Sequence, residues 1–203
     1  LSLWLFKYRQ SLLWVFFSHC SIFIFMSSVK AVADSVDGIL SEVEVPNPQT
    51  AYGKSKLAAE QFLLSQKLPE GKKVYILRPC MIHGSGNKGN LNLLYQLVKK
   101  GIPYPLGAFQ NKRSFVSMGN LNFIIEQLII QQPESGIYNV ADDESISTVE
   151  VVNLMSETLG KKSRILNVSP KFINILAKIG TFLKLPFNEE KLQKLTENYV
   201  VSN

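Results

Sequence analysis

The chain has 203 residues, of which 46% are hydrophobic, and 22 Lys and Arg against 16 Asp and Glu give a formal net charge of +6. This composition predicts a globular protein with one sizeable core, and the scattered basic residues lack the clusters typical of a nucleic-acid binder. Two cysteines, Cys20 and Cys80, and two histidines are too few for a zinc framework or a disulfide scaffold. We therefore expect no metal site, no nucleic-acid partner and a reducing, cytoplasmic location.

Residues 1–22 form an atypical N-terminal segment that leaves two interpretations open. In the first, residues 23–26 are a buried strand of a parallel sheet, where a continuous apolar run is common. In the second, Lys7 and Arg9, the apolar run 11–26 and the small residues 31–33 together imitate a secretory signal. Polar residues interrupt the run too often for a membrane span, and we favour the strand.

Strands and helices alternate along the following hundred residues. A polar loop containing Pro46 and Pro48 leads to a helix that starts near Tyr52. Further patterns predict a strand over 74–79, a helix over 91–99, a strand over 113–118 and a helix over 120–131. We expect four side chains of that last helix to pack inward: Phe123, Ile124, Leu128 and Ile129. Such alternation favours an α/β fold with a parallel sheet covered on both faces.

The C-terminal part predicts a strand within 136–142 and then a helix with clear boundaries. Ser147 and Glu150 have the spacing of a capping box, and Gly160 is placed to end the helix. Residues 171–194 mix apolar and basic positions, which predicts a small helical lobe with a solvated charged face and no stable membrane association. The predicted organisation is the atypical segment 1–22, an α/β part 23–135 and a lobe 136–203.

Tyr52 and Lys56 are the most informative pair of residues in the sequence. They lie four residues apart on a predicted helix, so the lysine ammonium can approach the tyrosine ring. A nearby positive charge favours the phenolate and lowers the pKa of a tyrosine, which turns it into a usable acid or base. Tyr95 and Lys99 have the same spacing, and we interpret them as an ordinary amphipathic pair.

The surroundings of Tyr52 resemble the extended short-chain dehydrogenase/reductase superfamily, in its NAD-dependent epimerase/dehydratase group. The apolar strand "FIFM" ends in Ser27 and Ser28, and "YGKSKLAAE" follows after the proline-rich loop. The resemblance implies that Ser28 hydrogen-bonds the reacting oxygen, that Tyr52 moves the proton, and that Lys56 also holds the nicotinamide ribose of NAD. Ser27 is the less favoured of the two serines.

The resemblance continues along most of the remaining chain. In "LRPCMIHGSGNKGN" it implies that Pro79 and Met81 line the nicotinamide pocket and that Asn90 faces the sugar nucleotide, although Asn90 could equally cap a helix. In "NKRSFVSMGNL" it implies that Arg113 binds the nucleotide diphosphate, a role that suits a guanidinium fork. A surface salt bridge is the alternative for Arg113.

More narrowly, "ISTVEVV" and "KLTENYVVSN" resemble the UDP-sugar 4-epimerases and 4-dehydrogenases of bacterial capsule and O-antigen synthesis. This implies the C-terminal half of a Rossmann-like parallel sheet with a small α-rich substrate lobe, NAD as the cofactor, and a UDP-hexose or UDP-N-acetylhexosamine as the substrate. A homodimer that includes the Tyr52 helix is common in the family. Val29 and Lys30 stand where the 4,6-dehydratases carry an acidic pair, which argues against a dehydratase.

The chain departs from the family at its beginning. The glycine-rich strand-turn-helix that holds the dinucleotide pyrophosphate is not found near the N-terminus, so roughly a hundred residues of the family pattern are missing. A second hypothesis therefore stays open: a non-catalytic remnant, or an exported protein whose N-terminus is a signal segment.

Overall fold

The computed structural model describes residues 20–84, 86, 90–185 and 187–202. Residues 1–19, most of the segment predicted to be atypical, lie outside the described residues. The described chain divides into two compact units. The first consists of the residues up to Ile82, Ser114–Asp143, and Val201 with Ser202; the second consists of His83–Arg113 and Glu144–Val200.

Short strands and helices follow one another as the sequence predicts. In chain order they are β1 (Ile22–Met26), a short 3-10 turn (Val29–Ala31), β2 (Ile39–Leu40), α1 (Ala51–Leu64), β3 (Lys73–Pro79), β4 (Met81–His83), α2 (Asn90–Lys99), β5 (Arg113–Ser117), α3 (Met118–Gln131), β6 (Gly136–Val140), β7 (Ser145–Ile146), α4 (Thr148–Thr158), α5 (Pro170–Phe182), α6 (Glu189–Thr196) and β8 (Val200–Val201).

Strands β1, β3 and β6 form a parallel sheet in that order, which confirms the predicted α/β class. Met26 of β1 is opposite Leu77 of β3, and Leu77 is opposite Tyr138 of β6. Because the strands are parallel, their carboxyl ends meet at one edge of the sheet, where open α/β sheets bind ligands. The sequence analysis assigns residues 136–140 to the substrate lobe, but their pairing with β3 places β6 in the sheet instead.

The core of the first unit forms where α1 packs on this sheet. Its buried members come from α1, β1 and β3, namely Phe25, Ala59, Leu63, Val74 and Ile76. Phe23, Phe62, Leu68 and Ile137 pack against them and are partly buried. The continuous apolar runs of β1 and β3 are thus explained by burial in a parallel sheet.

The predicted inward face of α3 is wrong at two of its four positions. Leu128 is buried and Ile124 is half-buried, but Phe123 is 59% exposed and Ile129 is 49% exposed. Leu121 and Leu128, seven residues and two helical turns apart, are the buried residues of this helix. Apolar residues occur around more of the helix than the core can bury, so the sequence alone does not identify the buried side.

The predicted boundaries of α4 are confirmed. The Ser147 hydroxyl accepts a hydrogen bond from the Glu150 amide at 3.0 Å, and the Glu150 carboxylate accepts one from the Ser147 amide at 2.6 Å. Gly160 follows the helix with a φ of +62°, a conformation that suits glycine. In the part of the chain that the structure describes, no helix has both the length and the apolar character needed to cross a membrane.

Candidate active site

The first turn of α1 is fixed by the carboxylate of Asp34. This group accepts hydrogen bonds from the Gln49 amide at 2.6 Å, the Thr50 amide at 3.0 Å and the Thr50 hydroxyl at 2.7 Å. Thr50 in turn caps the helix, since its Oγ1 accepts from the Gly53 amide at 3.1 Å. Burial alone would raise the pKa of Asp34, but these hydrogen bonds and the charge of Lys30 hold it below its ordinary value.

Gly53 lets this first turn approach the 3-10 turn that follows Ser28. A Cβ atom at Gly53 would collide with the Lys30 carbonyl oxygen and lie 2.7 Å from Cβ of Pro48. The absence of a side chain therefore brings the start of α1 against the segment that follows β1. This close approach places the Tyr52 end of the helix beside the carboxyl end of the strand.

Lys56 reaches the same sheet edge from one turn further along α1. Its ammonium donates a hydrogen bond to the Met26 carbonyl at 2.7 Å, and its Nζ lies 5.3 Å from the centre of the Phe25 ring. The same Nζ is 5.9 Å from the centre of the Tyr52 ring, so the structure brings the predicted pair together. Burial lowers the pKa of Lys56, and the Glu60 carboxylate opposes that shift.

Tyr52 and Ser28 differ in their accessibility. Tyr52 is 53% exposed, whereas Ser28 is buried just after the end of β1. The Ser28 Oγ caps the 3-10 turn by accepting a hydrogen bond from the Lys30 amide at 3.2 Å. Its hydroxyl proton is not required by this contact, so the hydroxyl can still donate to a ligand oxygen.

Ser27 is held by a buried network that the sequence analysis missed. Its hydroxyl donates to Oε1 of Glu60, one turn beyond Lys56 on α1. Glu60 also forms an ion pair with Arg78 of β3: Nη2 lies 2.6 Å from Oε2, and Nε lies 3.0 Å from Oε1 and 3.2 Å from Oε2. The two side chains are only 2% and 1% exposed. The network joins α1 to β3 and to the residue that follows β1.

Two signals in the sequence point to this network. Tyr52, Lys56 and Glu60 follow one another at intervals of four residues, which places them along one side of a helix. Arg78 is a charged residue inside an otherwise apolar strand, and a buried guanidinium needs an anionic partner.

The remaining predicted cofactor residues lie at or near the same sheet edge. Pro79 is the buried last residue of β3, and Met81 is the half-buried first residue of β4. Asn90 begins α2, and the position of its side chain lies outside the described part. Their predicted contacts with nicotinamide and sugar stay predictions.

Arg113 lies in the second unit and has a protein partner. Its Nη2 is 3.1 Å from Oε1 of Glu197, and its Nη1 donates to the Lys194 carbonyl at 2.7 Å. Both ionic side chains are 10% exposed, so this is a buried ion pair rather than the surface salt bridge considered as an alternative. Burial lowers the pKa of Arg113, and Glu197 opposes the shift. A diphosphate at Arg113 would have to share or replace Glu197.

A mainly apolar cavity of about 410 Å³ lies in the same unit. Its lining includes Leu94, Tyr104 and Leu106, with Lys191 and Lys194 from α6. Lys194 connects it to Arg113, because the Lys194 carbonyl accepts the hydrogen bond from the guanidinium. Glu190, which pairs with Lys194, also lines it, so the cavity combines apolar walls with charged side chains of both signs.

Comparison with known proteins supports the resemblance. The model of the 3-beta hydroxysteroid dehydrogenase/isomerase family matches residues 14–162, more than half of the chain. A UDP-glucose 4-epimerase of Vibrio cholerae is 36% identical over 143 residues, which are 68% of this chain and 44% of that protein. An N-acetyl-alpha-D-glucosaminyl-diphospho-ditrans,octacis-undecaprenol 4-epimerase of Escherichia coli O157:H7 is 31% identical over 119 residues, 57% of this chain and 36% of that protein.

A solved structure shows the same fold. The UDP-glucose 4-epimerase of Thermus thermophilus, in complex with NAD, superposes with a TM-score of 0.63 at 22% identity, over 90% of this chain and 55% of that one. The chain spans less than half the length of the two curated relatives.

Proposed function

The chain belongs to the 3-beta hydroxysteroid dehydrogenase/isomerase family, and from this premise we propose that it acts in the NAD-dependent 4-epimerisation or 4-dehydrogenation of a nucleotide sugar. One observation carries the proposal. The ammonium of Lys56 is fixed at the carboxyl edge of the sheet, 5.9 Å from the ring centre of an exposed tyrosine. An ordinary surface helix has no need of this arrangement.

The residues at this edge fit the reactive end of NAD. The Lys56 ammonium and the exposed Tyr52 phenol lie at the edge where parallel sheets bind dinucleotides, and Ser28 follows the strand that ends there. Lys56 would hold the nicotinamide ribose, and Pro79 and Met81 would line the nicotinamide. No glycine-rich strand-turn-helix for the pyrophosphate stands near the N-terminus of the sequence, so the residues named here account for the nicotinamide end of the cofactor only. When bound, NAD accepts a hydride from the sugar and can return it.

The three proposed catalytic residues divide the proton chemistry. Tyr52 takes the proton from the C4 hydroxyl and gives it back to the product oxygen. Lys56 favours the phenolate through its positive charge, which brings the tyrosine closer to neutral pH as a base. Ser28 donates a hydrogen bond to the same oxygen and holds it near the phenol. A site that keeps the ketone bound until it is reduced again would act as an epimerase, and one that releases the ketone would act as a dehydrogenase.

Arg113 and Asn90 are the proposed contacts for the remainder of the substrate. The apolar cavity beside α6 suits a nucleoside base, and Arg113 suits a diphosphate because a guanidinium pairs with phosphate oxygens. Asn90 is retained as a sugar contact. A cytoplasmic location and a homodimer through the Tyr52 helix stay part of the proposal.

A lipid-linked sugar is the second candidate substrate. The Escherichia coli relative is named for a sugar joined through a diphosphate to a polyprenol. A substrate of this kind is met at a membrane surface, and the exposed apolar side of α5, described below, is the observation that favours it.

The test is turnover and binding by the full chain with NAD and either UDP-glucose or UDP-N-acetylglucosamine. Tyr52→Phe keeps the ring but removes the ionisable hydroxyl, and we expect a loss of kcat of at least about a hundredfold with little change in substrate affinity. Tyr95→Phe is the matched control, because Tyr95 also precedes a lysine by four residues. It should retain the wild-type rate.

Two outcomes would contradict the proposal. Equal rates for Tyr52→Phe and the wild type would show that Tyr52 does not transfer the proton. If the wild-type chain neither turned over nor bound any of these sugars, the result would favour the alternative of a non-catalytic remnant.

A further inference from the structure

Helix α5 presents an exposed apolar strip. The strip consists of six side chains that are between 40% and 86% exposed: Phe172, Ile175, Leu176, Ile179, Phe182 and Leu183. They follow a spacing of three and four residues, so they lie along one side of the helix. The sequence analysis expects a solvated charged face in this region, and the structure shows instead that much of the exposed surface is apolar.

The other side of α5 packs against the rest of the chain, so the helix cannot turn its apolar strip inward. Ile173, Ala177 and Gly180 are the buried residues of this helix. At Gly180 a Cβ atom would collide with the carbonyl oxygen of Phe187, so this side lies against the backbone that leads into α6. The apolar strip therefore faces away from the unit that holds the helix.

Lysines border the strip on its polar side. Lys171, Asn174, Lys178 and Thr181 are exposed and follow one another at helical spacing, in a row beside the apolar side chains. The charge of the segment itself is one-sided, because residues 158–188 contain six Lys and Arg and no Asp or Glu; Glu157, Glu189 and Glu190 flank it. An anionic surface complements this segment, whereas a second copy of the same positive face would repel it.

We propose that α5 docks the chain reversibly on an anionic membrane, with the apolar strip inserted among the lipids and the lysines against the headgroups. Bulky apolar side chains on one side and lysines beside them are the pattern of helices that lie in the membrane interface. The 13 residues of α5 are fewer than the roughly 20 needed to span a bilayer, so the helix lies in the surface. This inference concerns location and does not require the proposed chemistry.

Helix α3 provides the matched comparison. It also has exposed apolar side chains, including Phe123 at 59% and Ile130 at 65%. Residues 118–131 contain one acidic residue, Glu126, and no Lys or Arg. If exposed apolar area alone caused binding, both helices would contribute; if α5 is the docking element, only its substitutions matter.

The experiment is co-sedimentation of the full chain with vesicles of phosphatidylglycerol and phosphatidylcholine, compared with vesicles of phosphatidylcholine alone. We expect stronger binding to the anionic vesicles that falls as salt is raised. Phe182→Ser should weaken binding about tenfold, and Lys171→Glu with Lys178→Glu by about tenfold or more, while Phe123→Ser should leave it unchanged. Far-ultraviolet circular dichroism identifies any variant that fails to fold.

Three results would overturn the inference. Absence of binding to anionic vesicles would do so directly. Equal weakening by Phe123→Ser and Phe182→Ser would show non-specific apolar adsorption. The third measurement is sedimentation velocity without vesicles. If Phe182→Ser converts a dimer to a monomer and the wild type does not bind vesicles, α5 is a contact between copies of the chain. Sugar turnover is measured separately, so failure of membrane binding can be distinguished from failure of the proposed enzymatic function.

Discussion

Replacing Glu60 by Gln should strongly destabilise the first unit while changing almost none of its shape. Gln fills the same volume, but it leaves the Arg78 guanidinium, 2% exposed, without its counter-charge. Nη1 of Arg78 already has no hydrogen-bond partner among the described residues, so this nitrogen does not compensate for the loss of the Glu60 charge. Removal of one partner of a buried ion pair costs about 3–5 kcal/mol, and we expect the free energy of unfolding to fall by that amount.

Urea unfolding followed by circular dichroism measures this change. Glu190→Gln is the control: Glu190 lies 2.6 Å from Lys194, but the two side chains are 73% and 54% exposed, so loss of this solvent-screened pair should leave the free energy of unfolding nearly unchanged. The double variant Glu60→Gln with Arg78→Met removes both charges. It should recover about 2 kcal/mol relative to Glu60→Gln alone, because no buried charge is left unpaired.

The reasoning would be refuted if Glu60→Gln cost no more than Glu190→Gln, or if the effects of Glu60→Gln and Arg78→Met simply added. Additivity would mean that the two groups do not stabilise one another. The same substitution has a consequence for Lys56. Glu60 opposes the lowering of the pKa of Lys56 by burial, so Glu60→Gln should lower that pKa further.

Two further predictions concern the start of α1. Gly53→Ala places a methyl group against the Lys30 carbonyl and Pro48, so it should reduce any sugar turnover about tenfold or more. Gly119→Ala is the control, because a Cβ atom there would make only an ordinary contact, 3.8 Å from Oγ of Ser117, and it should leave the rate unchanged. Equal rates for the two variants would show that α1 can move without effect. The second is pH dependence: the pKa of Asp34 is lowered by folding, so its stabilising effect is present above about pH 4 and is lost as the pH falls through the folded pKa. The stability difference between wild type and Asp34→Asn in urea should therefore shrink from pH 7 to pH 3, and a constant difference would contradict the assignment.

The sequence predicts the helices and strands of this fold better than it predicts which of their side chains are buried. The apolar runs of β1 and β3 and the capping box of α4 are local patterns, so they identify the elements without the rest of the chain. The inward side of α3 is not local: Phe123 and Leu128 are both apolar, and only the packing of the core separates the exposed one from the buried one.

The candidate site shows the same limit. Tyr52, Lys56 and Glu60 share one helix, so their spacing alone places them together. The partner of Arg113 is Glu197, which lies 84 residues further along the chain, and no local pattern connects the two. A diphosphate ligand predicted for Arg113 from the sequence thus competes with an anion that the chain itself provides.

The return of the C-terminal strand to the first unit has a consequence for biosynthesis. The Val201 amide donates to the Ser114 hydroxyl at 3.1 Å, and the Ser202 amide donates to the Leu40 carbonyl at 2.9 Å. These contacts span 87 and 162 positions of the chain, and such distant pairings form slowly. While the ribosome is still extending the polypeptide, Leu40 and Ser114 remain without these partners, which are translated 162 and 87 positions later. Chaperone binding to the nascent chain should accordingly persist until translation has passed these residues.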